Sequence, residues 1–257
     1  MKQFIAECEP DPSGRLVLTG DAYNYLIKVR RMQPGDYLPV VLPKSGKVPM
    51  LIEKTDTVRQ ELRLITRPAA APQSQNIPHP EITLLQWVLK GTKTDTVVRQ
   101  ATEIGVQRIM LVSGEFSIAK KQNPIQLERY RRIIKEARQQ SGSPVDTIIA
   151  APAPLNSVLE NLAVILKEKT AVLGMCSESA GSSIGLHQLL SPKPEHIVLA
   201  IGAEGGISPA EAVLLRSTGF QTIHFNTNVL RAETAALYAT AAVHTIINEA
   251  EQWQLPE

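Results

Sequence analysis

From residue 81 onward the apolar positions alternate between two rhythms. "EITLLQWVL" (81–89) is nearly continuous, as expected of a strand buried on both faces. The segment 94–104 follows with helical spacing and is closed by Gly105, a residue suited to the left-handed position after a helix. The same alternation continues through strand "QRIMLV", a helix from Pro124 to about Gln140 capped by Asn123, and strand "DTIIAA". Helix 155–168, strand "TAVLGM", a short helix near 185–190, strand "HIVLAIG", helix 208–218, strand "QTIHF" and helix 231–249 complete it. Strands alternating with helices predict an α/β domain with a mostly parallel sheet. Upstream the runs are shorter and punctuated by Gly and Pro: "GRLVLTG", "QPGDYLPVVLP", "KSGKVPMLIEK" and "QELRLITR". These predict a small β-barrel or sheet, interrupted by one helix within "GDAYNYLIKVRRMQPGD". Between the two regions, "RPAAAPQSQNIPHP" (67–80) carries four prolines and reads as an extended linker. The expected organisation is a barrel over residues 1–70, a linker over 71–80 and an α/β domain over 81–257.

Composition adds little beyond an ordinary globular chain: 43% hydrophobic and 20% charged residues in 257 exclude disorder. The amino terminus lacks the apolar stretch of a secretory leader, and no run reaches the length that spans a bilayer. Two cysteines, Cys8 and Cys176, suggest neither a disulfide framework nor a zinc site. The five histidines show no metal-ligand spacing, so no metal is expected. A reduced, cytoplasmic protein without a membrane partner follows. Charge is more telling. Residues 1–143 carry 22 Lys and Arg against 14 Asp and Glu, a balance of +8, whereas residues 144–257 carry 5 against 11, a balance of −6. A basic half points toward nucleic acid, although solvated side chains alone produce the same count.

Two stretches carry candidate chemistry. "GAEGG" (202–206) follows an apolar strand and precedes Ser208, Pro209 and Glu211, which together read as a capping box with proline in the first turn. A glycine-rich turn here lets a ligand reach main-chain amides beyond the strand's carboxyl end. It serves equally as a tight corner with no ligand. It is not G-x-G-x-x-G, and "LKGTKT" lacks the first glycine of a P-loop. The second stretch, "NVLRAETAALYATAAVHTIINEA" (228–250), has one apolar face of alanines and branched residues that reads as a packed helix. Glu233 suits the first turn of that helix, but Arg231 opposes its dipole and needs another reason. The basic residues between Lys120 and Arg138 read either as phosphate contacts or as a solvated face.

"IGAEGGISPAE" followed by "NVLRAETAA" resembles the paired I-G-P-E-G-G and L-R-x-E-T-A signatures of the RsmE family, the 16S ribosomal RNA (uracil-N3)-methyltransferases of the SPOUT superfamily. The resemblance covers nearly the whole chain. "YNYLIKVRRMQPGD" is similar to a segment of the family's PUA-like barrel, and "LKGTKTDTVVRQATEIGVQRI" to the stretch that opens its knotted domain. The implied fold is a SPOUT-type trefoil-knotted α/β domain preceded by a small PUA-like β-barrel that binds RNA. Departures are Ala203 for the proline of G-P-E-G-G, which loosens that loop, and Asn226 for a glycine ahead of "VLR". Tyr25 and Arg30 depart in the barrel motif, and Gln139 and Ser143 replace a glutamate and an arginine in "KEARQQSGSP". "SGEFSIAK" also lacks the family's arginine. Gln139, Ser143 and the "SGEFSIAK" segment are expected to face RNA or the target base.

The resemblance implies S-adenosylmethionine as cofactor, held by three loops. Their residues are Leu173, Gly174 and Met175; Ile201, Gly202, Glu204, Gly205 and Gly206; and Asn226, Val229, Leu230, Arg231, Ala232, Thr234 and Ala235. Arg231 is implied as the cation that stabilises a developing uracil anion, with Glu233 and Glu204 as candidate catalytic carboxylates. Arg30, Arg31, Lys90, Lys93, Arg132 and Arg138 are the expected RNA contacts. Small ribosomal subunit RNA is the implied substrate, and a homodimer through the knotted domain the implied assembly. A non-catalytic RNA-binding protein on the same fold, motivated by Gln139 and Ser143, and a dinucleotide-dependent oxidoreductase stand as alternatives.

Overall fold

The computed structural model describes residues 2–66, 80–117, 124–179, 181, 183–191 and 193–252. The chain divides into two compact units, Met1–Asn76 with Gln139–Gly142, and Ile77–Arg138 with Ser143–Glu257. The expected linker over 71–80 lies outside the described residues except for Pro80, as does the expected cap Asn123.

The first unit holds β1 (Phe4–Ile5), β2 (Arg15–Leu18), β3 (Tyr37–Leu42), β4 (Gly46–Asp56) and β5 (Glu61–Thr66) in the spatial order β1-β3-β4-β5-β2. Period-two patterning builds its core. Leu16, Leu18, Leu38, Val40, Leu42, Met50, Ile52, Leu62 and Leu64 all point inward and are buried. Each such side chain contributes roughly 1.5–3 kcal/mol on leaving water. Neighbouring pairs are antiparallel except β1, which runs parallel to β3 and is followed by an Ala6 amide bond to the Val41 carbonyl at 3.0 Å. Two residues are too few for periodicity to announce a strand, which is why β1 escaped the pattern. The expected helix is one α-helical turn, α1 (Gly20–Tyr23), running into a π-helical turn at Asn24–Val29. There the Arg30 amide reaches back five residues to the Tyr25 carbonyl at 2.9 Å.

The second unit is an α/β layer around a parallel sheet of seven strands among the described residues. They are β6 (Glu81–Trp87), β7 (Arg108–Val112), β8 (Ile148–Ile149), β9 (Ala171–Cys176), β10 (Ser183–Ile184), β11 (His196–Ile201) and β12 (Gln221–Ile223), in the order β10-β12-β9-β11-β6-β7-β8. The two central strands are the most continuously apolar segments because helices cover both faces: β11 and all of β6 after Glu81 are buried. The helices are α2 (Lys93–Ile104), α3 (Pro124–Ser141), α4 (Leu155–Ile165), α5 (Leu186–Leu190), α6 (Pro209–Ser217) and α7 (Ala232–Gln252). Gly105 ends α2 in the left-handed conformation, φ 95°, with its amide on the Ala101 carbonyl at 3.1 Å. Helix α4 stops three residues before the expected end, and Glu168 takes a left-handed φ of 66°. Strand β11 enters the sheet between β9 and β6, after which the chain returns to the far side of β9 as β12. That order puts the loops leaving β9, β11 and β12 side by side at the carboxyl edge.

Candidate active site

The loop after β11 is built on itself. A Cβ at Gly202 would lie 2.4 Å from the Gly206 carbonyl carbon, so this approach requires glycine. Gly206 has φ 79°, and its amide donates to the Ala203 carbonyl at 2.9 Å, closing the turn. Ala203, which stands where a proline was expected, is buried, and its carbonyl accepts that bond. Glu204, Gly205 and Gly206 remain exposed at the tip, leaving main-chain groups open to a ligand.

Polar side chains brace the loop from beneath. The Ser208 hydroxyl accepts from the Glu211 amide at 3.3 Å, and Glu211 Oε2 accepts from the Ser208 amide at 2.9 Å, completing the expected capping box. Glu211 Oε1 also accepts from Trp87 Nε1 at 3.1 Å and from the Glu115 amide at 2.9 Å. One carboxylate thus ties α6 to the ends of β6 and β7. Gln86, fully buried, directs Nε2 at the Ile201 carbonyl (3.3 Å) and the Gly202 carbonyl (3.4 Å), while its Oε1 is buried with no partner among the described residues. Neither Gln86 nor Trp87 stood out in the chain, since a polar residue inside an apolar run is visible but its partners, 115 positions away, are not.

The candidate carboxylates have unlike surroundings. Glu204 Oε1 accepts from Lys93 Nζ at 2.9 Å and from the Lys90 amide at 3.2 Å. Partial burial pushes the Glu204 pKa up, but hydrogen bonds from Lys93 and from main-chain amides outweigh it and hold the carboxyl below its usual range. Glu233, in the first turn of α7, has Oε2 buried with no partner among the described residues. Arg231 immediately before α7 is exposed, and no described residue pairs with its guanidinium. The loop from β12 leaves Asn226 and Val229 exposed and Leu230 half-buried, with Phe225 set edge-on to Tyr238 at 5.0 Å. His224 Nδ1 lies 3.2 Å from the Ser177 carbonyl, joining the loops after β12 and β9. At the end of β9, desolvation pushes the Cys176 thiol up to about 12, so it is no nucleophile at neutral pH.

The other expected residues sort by exposure. Ile201, Gly202, Gly174, Met175 and Ala232 are buried, Leu173 and Ala235 half-buried, and Thr234 exposed. Lys90 is exposed, whereas Lys93 is held by Glu204. Arg132 is exposed beside Glu136 at 4.0 Å, and Arg30 and Arg31 are exposed in the first unit. Arg138 corrects the expectation of an RNA contact: it is buried, with its guanidinium on Asp146. The basic face of α3 is largely neutralised within the protein, Arg129 by Asp95 at 2.6 Å and Arg131 by Glu128. Gln139 does not face outward for a base either, since its Oε1 accepts from the Ile5 amide at 3.0 Å within the first unit. Ser143 is buried, its hydroxyl accepting from the Val145 amide at 3.3 Å. Part of "SGEFSIAK", from residue 118, lies outside the described residues. Among the described residues no cluster of three His, Cys, Asp or Glu is placed to hold a metal, and no helix is long and apolar enough to cross a membrane.

A parallel sheet whose glycine-rich turn and two neighbouring loops meet at the carboxyl edge defines an α/β ligand-binding protein. The model of the RNA methyltransferase domain family matches residues 75–244, and the chain belongs to that family. It is 27% identical over 254 residues to ribosomal RNA small subunit methyltransferase E 2 of Borreliella burgdorferi, covering 97% of this chain and 99% of that one. Ribosomal RNA small subunit methyltransferase E of Synechocystis is 29% identical over 233 residues, covering 90% and 73%. The crystal structure of a ribosomal RNA small subunit methyltransferase E from Neisseria gonorrhoeae, bound to S-adenosyl methionine, shares the fold with a TM-score of 0.78 at 21% identity, covering 96% of this chain and 98% of that one.

Proposed function

We propose that the protein transfers a methyl group from S-adenosylmethionine to N3 of one uridine in 16S rRNA of the small ribosomal subunit. The observation that carries this is the meeting of three loops at one sheet edge, where "GAEGG" is exposed and no described residue pairs with the exposed Arg231. The residues fit the cofactor: a nucleoside needs close backbone approach, which Gly205 and Gly206 permit, and the sulfonium supplies an activated methyl without a metal. Residues 173–175, 201–206 and 226–235 line the cofactor side in this reading. Leu230 packs on the adenine, and Arg231 stabilises the charge that develops on the uracil. Lys90, exposed beside the glycine-rich turn, and Arg132, Arg30 and Arg31 meet RNA phosphate. The names of the relatives from Borreliella and Synechocystis support the substrate.

Insertion of β11 between β9 and β6, with the chain then crossing back to β12, supports a trefoil-knotted path in the α/β domain. The mostly antiparallel sheet of the first unit supports a PUA-like RNA-binding barrel, joined to the methyltransferase domain by the proline-rich segment. A cytoplasmic homodimer formed through the knotted domain completes the reading. Labelled methyl transfer to small subunits from cells lacking the gene, followed by primer extension on 16S rRNA, tests it. A single reverse-transcription stop that appears on adding the protein and cofactor is expected. No label in RNA would overturn the reading.

A further inference from the structure

The chain has four phenylalanines; Phe4 and Phe220 are buried and Phe225 is half-buried. Phe116 instead is 43% exposed, in a turn that is tied down on both sides. This turn leaves β7: the Ser117 amide donates to the Gly114 carbonyl at 3.1 Å, and the Gly114 amide donates to the Ser117 hydroxyl at 3.2 Å. Ser117 is buried and anchors one side. On the other, the Glu115 amide donates to Glu211 Oε1 at 2.9 Å. A Cβ at Gly114 would lie 2.1 Å from Trp87 Nε1, so the turn rests directly on Trp87. The turn therefore presents the ring at the surface instead of folding it into the core.

Phe116 also lies against the glycine-rich loop. A Cβ at Gly205 would meet Phe116 Cβ and Cγ at 3.3 Å and Cδ2 at 3.4 Å, tighter than side chains ordinarily pack. The residue beside the ring is Glu115, exposed and acidic, which repels a phosphate but not an uncharged base. Resting on the methyltransferase reading, we infer that Phe116 is the platform on which the target uracil stacks. That reading sets the loop of Gly205 against the cofactor, and the base that must reach this loop is the one that receives the methyl group. Uracil taken out of its own stack lays its face on the phenyl ring and leaves its polar edge, with N3, for the methyl donor. Other contacts hold the ribosomal subunit, so the stack sets the fraction of bound subunits whose uracil is in place. A phenyl face does not distinguish one base from another, so Phe116 positions the base and leaves its identity to groups at the edge.

The test compares the full-length protein with its Phe116→Leu, Phe116→Tyr and Phe116→Trp variants. Single-turnover methyl transfer is measured on small subunits from cells lacking the gene, with S-adenosylmethionine affinity from calorimetry and thermal melts alongside. Leucine keeps an apolar side chain against Gly205 but has no flat face. Phe116→Leu is therefore expected to lower the rate at saturating subunits by about 10–100-fold, with cofactor affinity and melting temperature as in wild type. Tyrosine and tryptophan, which restore a flat ring, should bring the rate back to within a few-fold of wild type. A Phe116→Leu variant with the wild-type rate overturns the inference, and so do Tyr and Trp variants as slow as Leu. If cofactor affinity falls in step with the rate, the ring belongs to the cofactor's wall and the inference falls. A change confined to the subunit concentration needed for half-maximal rate places a flanking base on the ring and also overturns it. Should wild type bind the cofactor yet label no RNA, the underlying reading fails instead.

Discussion

The two edges of the parallel sheet differ in which polar residues they pair and which they leave exposed. At the amino edge, Glu81 accepts from Lys169 at 2.7 Å and lies 3.1 Å from His196 Nδ1, and Thr83 Oγ1 lies 2.8 Å from His196 Nε2. Glu195 accepts from both the amide and the hydroxyl of Thr170 at 3.0 Å. At the carboxyl edge, Glu233 Oε2 and Gln86 Oε1 are buried without partners among the described residues, and no described residue pairs with Arg231. Most groups of the amino-edge cluster satisfy one another and stabilise the fold, although His196 Nδ1, close to Glu81, is itself buried without a hydrogen-bond partner among the described residues. A buried group left unsatisfied costs stability, and the carboxyl edge carries two of them beside an exposed arginine.

Substitutions at the two edges should therefore fail in different assays. The largest effect is expected for Arg231→Ala, which should lower single-turnover methylation by at least ~10²-fold while cofactor affinity and thermal stability stay near wild type. A variant with normal turnover would break the comparison at its centre. Gly202→Ala comes next, since its Cβ would meet the Gly206 carbonyl carbon at 2.4 Å. The loop must shift, and calorimetry should show cofactor affinity reduced by about tenfold or more. Glu211→Ala sharpens the contrast, because this carboxylate sits at the functional edge but is fully satisfied. It should cost about 2–4 kcal/mol in urea unfolding by stranding the Trp87 donor and two amides.

The smallest effect belongs to the amino edge and is a pH dependence. Desolvation holds the His196 pKa below its usual value, against the opposing pull of Glu81. The unfolded chain therefore binds a proton that the folded protein resists. The resulting stability is present above the ordinary histidine pKa of about 6.5 and is lost as pH falls toward the folded value. Glu81, held low mainly by its hydrogen bond from Lys169, adds a second loss below about pH 4.3. Urea midpoints should fall between pH 7.5 and 5.5 in wild type, and His196→Asn should flatten that slope. An unchanged slope would mean the histidine does not couple to folding.

Much of the architecture was legible from periodicity. The continuous runs at 81–89 and 196–201 announced doubly covered parallel strands, and Ser208, Pro209 and Glu211 announced a helix start that the capping geometry bears out. Short elements were not legible, because β1 and β10 each have only two residues and exist through their neighbours' hydrogen bonds. Charge was the least reliable guide. A run of arginines on α3 looked available to phosphate, yet Arg129, Arg131 and Arg138 have acidic partners, one on α2, one on α3 itself and one in the loop before β8.

The chain by itself determined which of the longer segments become strands and helices and where the glycine-rich turn falls. Those properties depend on local sterics, capping and apolar period, which act over a few residues. Only the tertiary structure decided that Glu204 is bound to Lys93 while Glu211 ties Trp87 and the Glu115 amide to the start of α6. Hydrogen-bond satisfaction depends on residues more than a hundred positions apart, and no local pattern reports it.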